Sequence, residues 1–199
     1  VSTAAPSGSS RPASFDGVFA DPVAAAAARH LALAPAASMQ ELAAAAGVSR
    51  ATLFRRFPSR AALVAELCGA AARAYVRAVD EAAPEEGAPV QALERVVQAL
   101  GGLAPVVGLL GLQPLEEHVE ASLLERSART EEQLRRLVRR GQESGHFRVE
   151  VDPEWVLALL TWLLVGAADG VRLGRLTAGA AQRHLSATVT ATLLRPDRA

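Results

Sequence analysis

"SMQELAAAAGVSRATLFRRFPSRAALVAEL", residues 38–67, sets this chain apart from an ordinary alanine- and leucine-rich helical protein. Ser38 followed three residues later by Glu41 has the spacing of a capping box. The hydroxyl accepts from the third amide of the helix, and the carboxylate reaches back to the amide of the cap. The helix so started ends at Gly47, after two turns. Ser49 caps a second, equally short helix that stops before Pro58. Ser59 opens a longer one through "RAALVAELCGAAARAYVRAVDEA", ended by Pro84. Helices of two turns do not stand alone in water. Residues 38–57 therefore have to pack on a third helix, and both flanks supply one. Two short helices joined at Gly47, Val48 and Ser49 have the layout of a helix-turn-helix unit.

The second of these helices carries Arg50, Arg55 and Arg56 within seven residues. At about 100° per residue, Leu53 and Phe57 share one face, which must be the core. Ala51 and Arg55 lie opposite, while Thr52 with Arg56, and Arg50 with Phe54, flank the two sides. A major-groove helix asks for this arrangement. A small residue allows close approach and can touch a thymine methyl, an arginine can fork onto guanine O6 and N7, and hydroxyls and further arginines can hold phosphates. Ser49, at the helix N-terminus, stands where an anion is favoured. The plain alternative is a solvated basic face on an ordinary helix. The capping box, glycine turn and Phe-Pro-Ser-Arg exit around it argue for the DNA reading.

With these residues in view, the stretch 38–67 resembles the signature of the TetR family of bacterial transcriptional repressors. The resemblance covers about 30 residues and rests on the amphipathic two-turn helix, Ala-Gly-Val-Ser, a small residue, Thr-Leu-aromatic, a basic pair, Phe and a Ser-basic cap. It implies phosphate contacts for Thr52 and for Arg60, which stands where the family commonly has Lys. It implies base-edge contacts for Arg50, Ala51 and Arg55. With the capping serines and the flanking side chains, the expected DNA-binding set is Ser38, Ser49, Arg50, Ala51, Thr52, Phe54, Arg55, Arg56 and Arg60. Phe54 replaces the family's usual Tyr, so the phosphate contact of that hydroxyl is missing. Ala37 takes a place often held by Thr, the first helix lacks the usual aromatic, and the basic arm before it is reduced to Arg11.

Composition agrees with an all-α fold. Half of the 199 residues are hydrophobic, aromatics make up only 4%, and Ala and Leu predominate over β-branched runs. The formal net charge is zero, but its distribution is uneven. Residues 21–77 carry seven Arg against three acidic residues, 78–125 one against nine, and 126–199 twelve against eight. All 21 basic residues are Arg. This bias reads as codon usage in a GC-rich genome, although Arg is also the better bidentate base reader. The single cysteine, Cys68, excludes an internal disulfide and a multi-cysteine zinc site. Histidines 30, 118, 146 and 184 are scattered, and no phosphate-binding glycine loop or serine elbow is present. No enzyme activity, metal or cofactor is expected. Residues 1–20 read as a disordered tail without signal-peptide features. The longest apolar run, "WVLALLTWLLVGAA" at 155–168, is short for a bilayer span. A soluble, cytoplasmic protein is expected.

The rest of the chain is punctuated as helices. Asp21-Pro22 starts a first helix running to about Leu33. Residues 89–110 form a glycine-interrupted apolar segment, Pro114 starts a long or broken helix ended by Gly145, Pro153–Arg172 follows Asp152, and Thr177 begins a last helix to about Leu194. In the segment between Pro114 and Gly145, Glu131–Arg135 and Glu132–Arg136 are expected to pair along a solvated face.

The expected organisation is a tail (1–20), a three-helix DNA-binding domain (21–67) and a helical ligand-binding and dimerisation domain (68–199). The resemblance implies a homodimer on a double-stranded operator, released by a small-molecule effector. Gly166, Ala167 and Gly170 would let the last helices approach closely. Leu103, Val107, Leu110, His118, Trp155 and Trp162 are the expected pocket residues, each with a plain core or surface role as alternative. The competing function is a helical adaptor whose basic helix binds an acidic protein.

Overall fold

The computed structural model describes residues 15–110 and 117–195. Helices follow one another as α1 (Phe15–Val18), α2 (Pro22–Leu33), α3 (Met39–Ala45), α4 (Arg50–Arg56), α5 (Arg60–Ala82), α6 (Pro89–Gly102), α7 (Ala104–Leu110), α8 (Ala121–Glu143), α9 (Pro153–Arg172) and α10 (Ala178–Leu193). Among the described residues the β-structure is a single isolated bridge between Phe147 and Leu194. The all-α expectation holds.

Local chemistry starts most of these helices where the sequence marks them. Asp21 accepts from the Val23 amide at 2.9 Å, with Pro22 in the first turn of α2. Ser38 and Glu41 close the capping box of α3. Ser59, Asp152 and Thr177 accept from the amides of Ala62, Glu154 and Ala180 to open α5, α9 and α10. The α5–α6 turn passes through Ala83 in the left-handed region, φ 46°, a conformation that costs a residue bearing a Cβ. Arginine steadies this turn: Arg95 donates to the carbonyls of Ala82, Ala83 and Glu86, and Arg140 to those of Pro84 and Glu85.

Two apolar cores share α5. Near its start, Leu63 and Leu67 pack with Ala27, Ala28 and Leu31 of α2, Leu42 of α3 and Leu53 of α4. Near its end, Val79 and Ala82 join Leu93, Val96 and Leu100 of α6, Leu134 and Leu137 of α8, Leu160 and Leu164 of α9, and Leu185 and Val189 of α10. Each leucine so buried is worth roughly 1.5–3 kcal/mol over its exposed state. A rigid helix running through both cores ties head to body. Phe147, in the α8–α9 connection, is fully buried against the backbone of α8. A Cβ on Gly141 would lie 2.1 Å from its ring.

Two expectations change, the extent of the tail and one ion pair, and the helix boundaries become definite. The tail does not extend to residue 20: α1 forms at Phe15–Val18, and Phe19 is buried in the head core. It supplies the aromatic that α2 itself lacks. Residues 1–14, including Arg11, lie outside the described residues. The segment 89–110 breaks into α6 and α7 at Leu103, and α8 is capped at Glu120, after Pro114, with residues 111–116 outside the description. Glu132 does not pair with Arg136. It meets Arg135 and Arg139, while Arg136 reaches Glu85 at 2.8 Å. The α9 helix keeps the expected bounds, Pro153–Arg172, and is the one described helix long and apolar enough, by length and composition, to cross a membrane.

Candidate nucleic-acid interface

The α3–α4 unit is built from backbone geometry outward. Gly47 takes φ +67°, where only glycine is unstrained. This lets the Val48 amide reach the Ala43 carbonyl at 3.0 Å and the Gly47 amide reach Ala44 at 3.1 Å, a Schellman closure of α3. Two residues later the Ser49 hydroxyl accepts from the Thr52 amide at 3.1 Å and starts α4. Leu53, with no exposure, and Phe57, at 8%, anchor α4 from behind. Arg50, Ala51, Arg55 and Arg56 are exposed, and Thr52 and Phe54 are half-buried beside them.

The exposed side chains are not equivalent. The Arg50 guanidinium sits 5.1 Å from the centroid of the Phe54 ring, so the ring that replaces a tyrosine acts as a shelf for a cation. The Ser49 and Thr52 hydroxyls are 2.9 Å apart. Ser38 is engaged with Glu41, whose carboxylate accepts from the Ser38 amide and hydroxyl at 2.7 Å each. These bonds, the backbone one first, hold the Glu41 carboxyl below the usual carboxylate range. Arg60 donates to the Pro35 carbonyl at 2.6 Å. Arg56 turns away from its neighbours: its Nη1 donates to both carboxylate oxygens of Asp21, at 2.7 Å each. Arg55 makes no hydrogen bond or ion pair among the described residues.

The structure thus brings Ser49, Arg50, Ala51, Thr52, Phe54 and Arg55 together on one open surface. It places Arg56 and Arg60 at the edge, already engaged, and Ser38 at the start of α3. Asp21 escaped the sequence reading as a partner of α4. Its capping role is marked by Pro22, but nothing local points to an arginine 35 residues away.

Leu103, Val107, His118, Trp155 and Trp162 line neither of two cavities in the body of the fold. Leu103 is buried with Ala74 and Ala78, and Val107 packs beside them. His118 is half-buried. Trp155 and Trp162 are 61% and 63% exposed, on the outer face of α9. The side chain of Leu110 lies outside the described residues. For the tryptophans the physical reason is clear. A helix apolar on every side does not announce which face turns inward.

The two cavities are each about 300 Å³. One, between α5, α6, α8 and α9, has walls from Tyr75, Leu100, Leu134, Leu157 and Leu160, with Arg135, Glu131 and Glu154 among its lining residues. Burial pushes the Tyr75 phenol well above its ordinary value. The Glu154 carboxylate, 2.5 Å from Arg135, raises that guanidinium further. The other cavity, between α6, α7, α9 and α10, is lined mainly by small residues such as Gly101, Ala104 and Ala168, beside Gln182.

The model of one protein family, bacterial regulatory proteins of the TetR family, matches residues 25–67, from within α2 to the second turn of α5. Those residues are similar to the head of TetR-family regulators. Over the whole chain the fold is that of TetR-family regulators. PfmR from Thermus thermophilus is 27% identical, with a TM-score of 0.66 over 88% of this chain and 100% of that one. LfrR from Mycobacterium smegmatis, solved in complex with proflavine, is 23% identical with a TM-score of 0.67, covering 87% and 95%. KstR2 of Mycobacterium tuberculosis, a ketosteroid transcriptional regulator, is 19% identical with a TM-score of 0.63, covering 87% and 93%. No curated protein matches the sequence. The TetR-type head accounts for the open surface of α4, since it is the helix that a helix-turn-helix offers to DNA.

Proposed function

We propose that this TetR-family regulator is a repressor that binds a palindromic operator as a homodimer and is released from it by a small molecule. Residues 21–67 form the DNA-binding domain, and 68–199 the ligand-binding and dimerisation domain. One observation carries the reading: Arg50, Ala51 and Arg55 stand in solvent on α4 while Leu53 and Phe57 hold that helix from behind. Arg55, unengaged by the protein, is the residue for a bidentate base contact, with Arg50 and Ala51 beside it at the base edges, and Thr52 and Arg60 are the proposed phosphate contacts.

A seven-residue recognition helix reads few base pairs, so operators of this kind are read in pairs. The outer face of α9 supports a dimer. Trp155, Ala158, Trp162, Gly166, Asp169 and Leu173 are all exposed, spaced three or four residues apart, as on one stripe of a helix bundle. Two exposed tryptophans on one apolar stripe mark an interaction surface. A second copy fits it better than lipid does, because the opposite face of α9 already buries Val156, Leu160 and Leu164 in the core. Gly166 lies open on the stripe, whereas a Cβ on Gly170 would meet Leu176 of its own chain.

The cavity beside Tyr75 is the proposed effector site. Its leucine walls suit an apolar body, and Glu131 and Glu154 suit a cationic or hydrogen-donating end. LfrR, solved with proflavine, is a precedent of this fold for an aromatic ligand. The cavity touches α5 at Tyr75, and α5 begins at Arg60 beside α4. A ligand that shifts α5 would therefore re-aim the head. Selection of bound sequences from random duplex DNA by the purified protein tests the reading. A two-fold symmetric consensus is expected. Enrichment of nothing, with capture of acidic proteins instead, would favour the adaptor.

A further inference from the structure

Asp21 caps α2 and also accepts from Arg56 of α4. We propose that it is a specificity-determining residue that withholds Arg56 from the DNA backbone, an inference that rests on the DNA-binding role of α4. The two carboxylate oxygens of Asp21 each accept from Arg56 Nη1 at 2.7 Å, across 35 residues of sequence, while Oδ1 also caps α2 at the Val23 amide. The pair is open to solvent, with side chains 34% and 45% exposed. An ion pair so exposed adds little to stability. What it changes is where charge sits on the DNA-facing head.

Sequence-independent affinity grows with each phosphate a protein neutralises, and the slope of log K against log salt counts them. Base readout depends on a few side chains at the groove. Arg55, at the centre of the exposed face, has no protein partner among the described residues. Arg56, one position on and on the flank of that face, is neutralised by Asp21. The head therefore presents its reading arginine unpaired and its neighbouring arginine paired. Sequence-independent binding is lowered while readout is left intact. Removing the Asp21 charge frees a guanidinium for one more phosphate.

The test is binding of Asp21→Asn, Arg56→Ala and the double variant to the selected operator and to a mixed-sequence duplex, over a range of salt concentrations. Asparagine caps a helix as well as aspartate does, so α2 keeps its start, and Arg56→Ala leaves the cap untouched. Asp21→Asn is expected to bind the mixed duplex several-fold more tightly, with a slope steeper by about 0.9 per head, hence about 1.8 for the dimer, and a smaller operator preference. Arg56→Ala alone should keep the wild-type slope, and the double variant should return to it. An unchanged slope in Asp21→Asn overturns the proposal. So does a slope that stays steep in the double variant, because the effect then comes from the Asp21 charge alone. A flatter slope in Arg56→Ala also overturns it, by showing that Arg56 leaves Asp21 for a phosphate in the complex. A wild-type protein without salt-dependent DNA binding removes the DNA-binding reading itself, a result distinct from these three.

Discussion

Arg55 and Arg56 are adjacent and chemically identical, yet the fold treats them differently. Arg55 meets solvent and Arg56 meets Asp21. Position on the helix explains Arg55, because it lies opposite Leu53 and Phe57. Arg55→Ala is expected to weaken binding to the operator by ~1–3 kcal/mol per half-site more than binding to random DNA, the worth of one bidentate base contact in each head. Parallel titrations of the two duplexes measure that difference, and equal losses would demote Arg55 to a phosphate contact. Arg50 shows the same dependence on context. With Phe54 beside it at 5.1 Å, the loss of a tyrosine hydroxyl is accompanied by a shelf that limits the motion of a long side chain. None of these partnerships follows from residue type. The helix turn brings Phe54 to Arg50, and the packing of α2 and α4 in the head core brings Asp21 to Arg56.

Among the helices, starts were more legible than ends or faces. Ser38, Ser49, Ser59, Asp152 and Thr177 each cap the helix that the sequence assigns to them, because a cap is a bond between residues two or three apart. The start of α8 at Ala121 and the break at Leu103 were not marked in this way: Glu120 makes no side-chain cap bond, and Leu103 is an ordinary core residue. Close approach is a further property of elements that local rules miss. Gly141, in the last turns of α8, lets the Phe147 ring lie where a Cβ would sit. Gly141→Ala is expected to destabilise the fold by about 1–3 kcal/mol, the usual cost of overpacking. It should appear as a lower urea midpoint with an unchanged m-value. A midpoint equal to that of the wild type would show that the ring moves aside freely.

For the molecule as a whole, head and body communicate through α5, which contributes to both cores, and two heads have to be spaced by a dimer. The exposed tryptophans of α9 are the handle on that arrangement. Replacing Trp155 and Trp162 together by serine should convert a dimer to a monomer in sedimentation and lower operator affinity sharply, with half-site contacts retained. A double variant that stays dimeric would place the interface elsewhere. A wild-type chain that partitions into vesicles instead would make α9 a lipid-facing helix. The same variant should keep its helical signal, because neither side chain belongs to the core.

The all-α class, the helix-turn-helix and the outward face of α4 were readable from the residues because caps, glycine turns and helical periodicity act within one or two turns of chain. The Asp21–Arg56 pair, the buried Phe19, the cavity beside Tyr75 and the outward turn of Trp155 and Trp162 were not. Each depends on which distant segments come to lie together. A helix as uniformly apolar as α9 carries no internal sign of its inner side, so packing against its neighbours in the body core had to choose it.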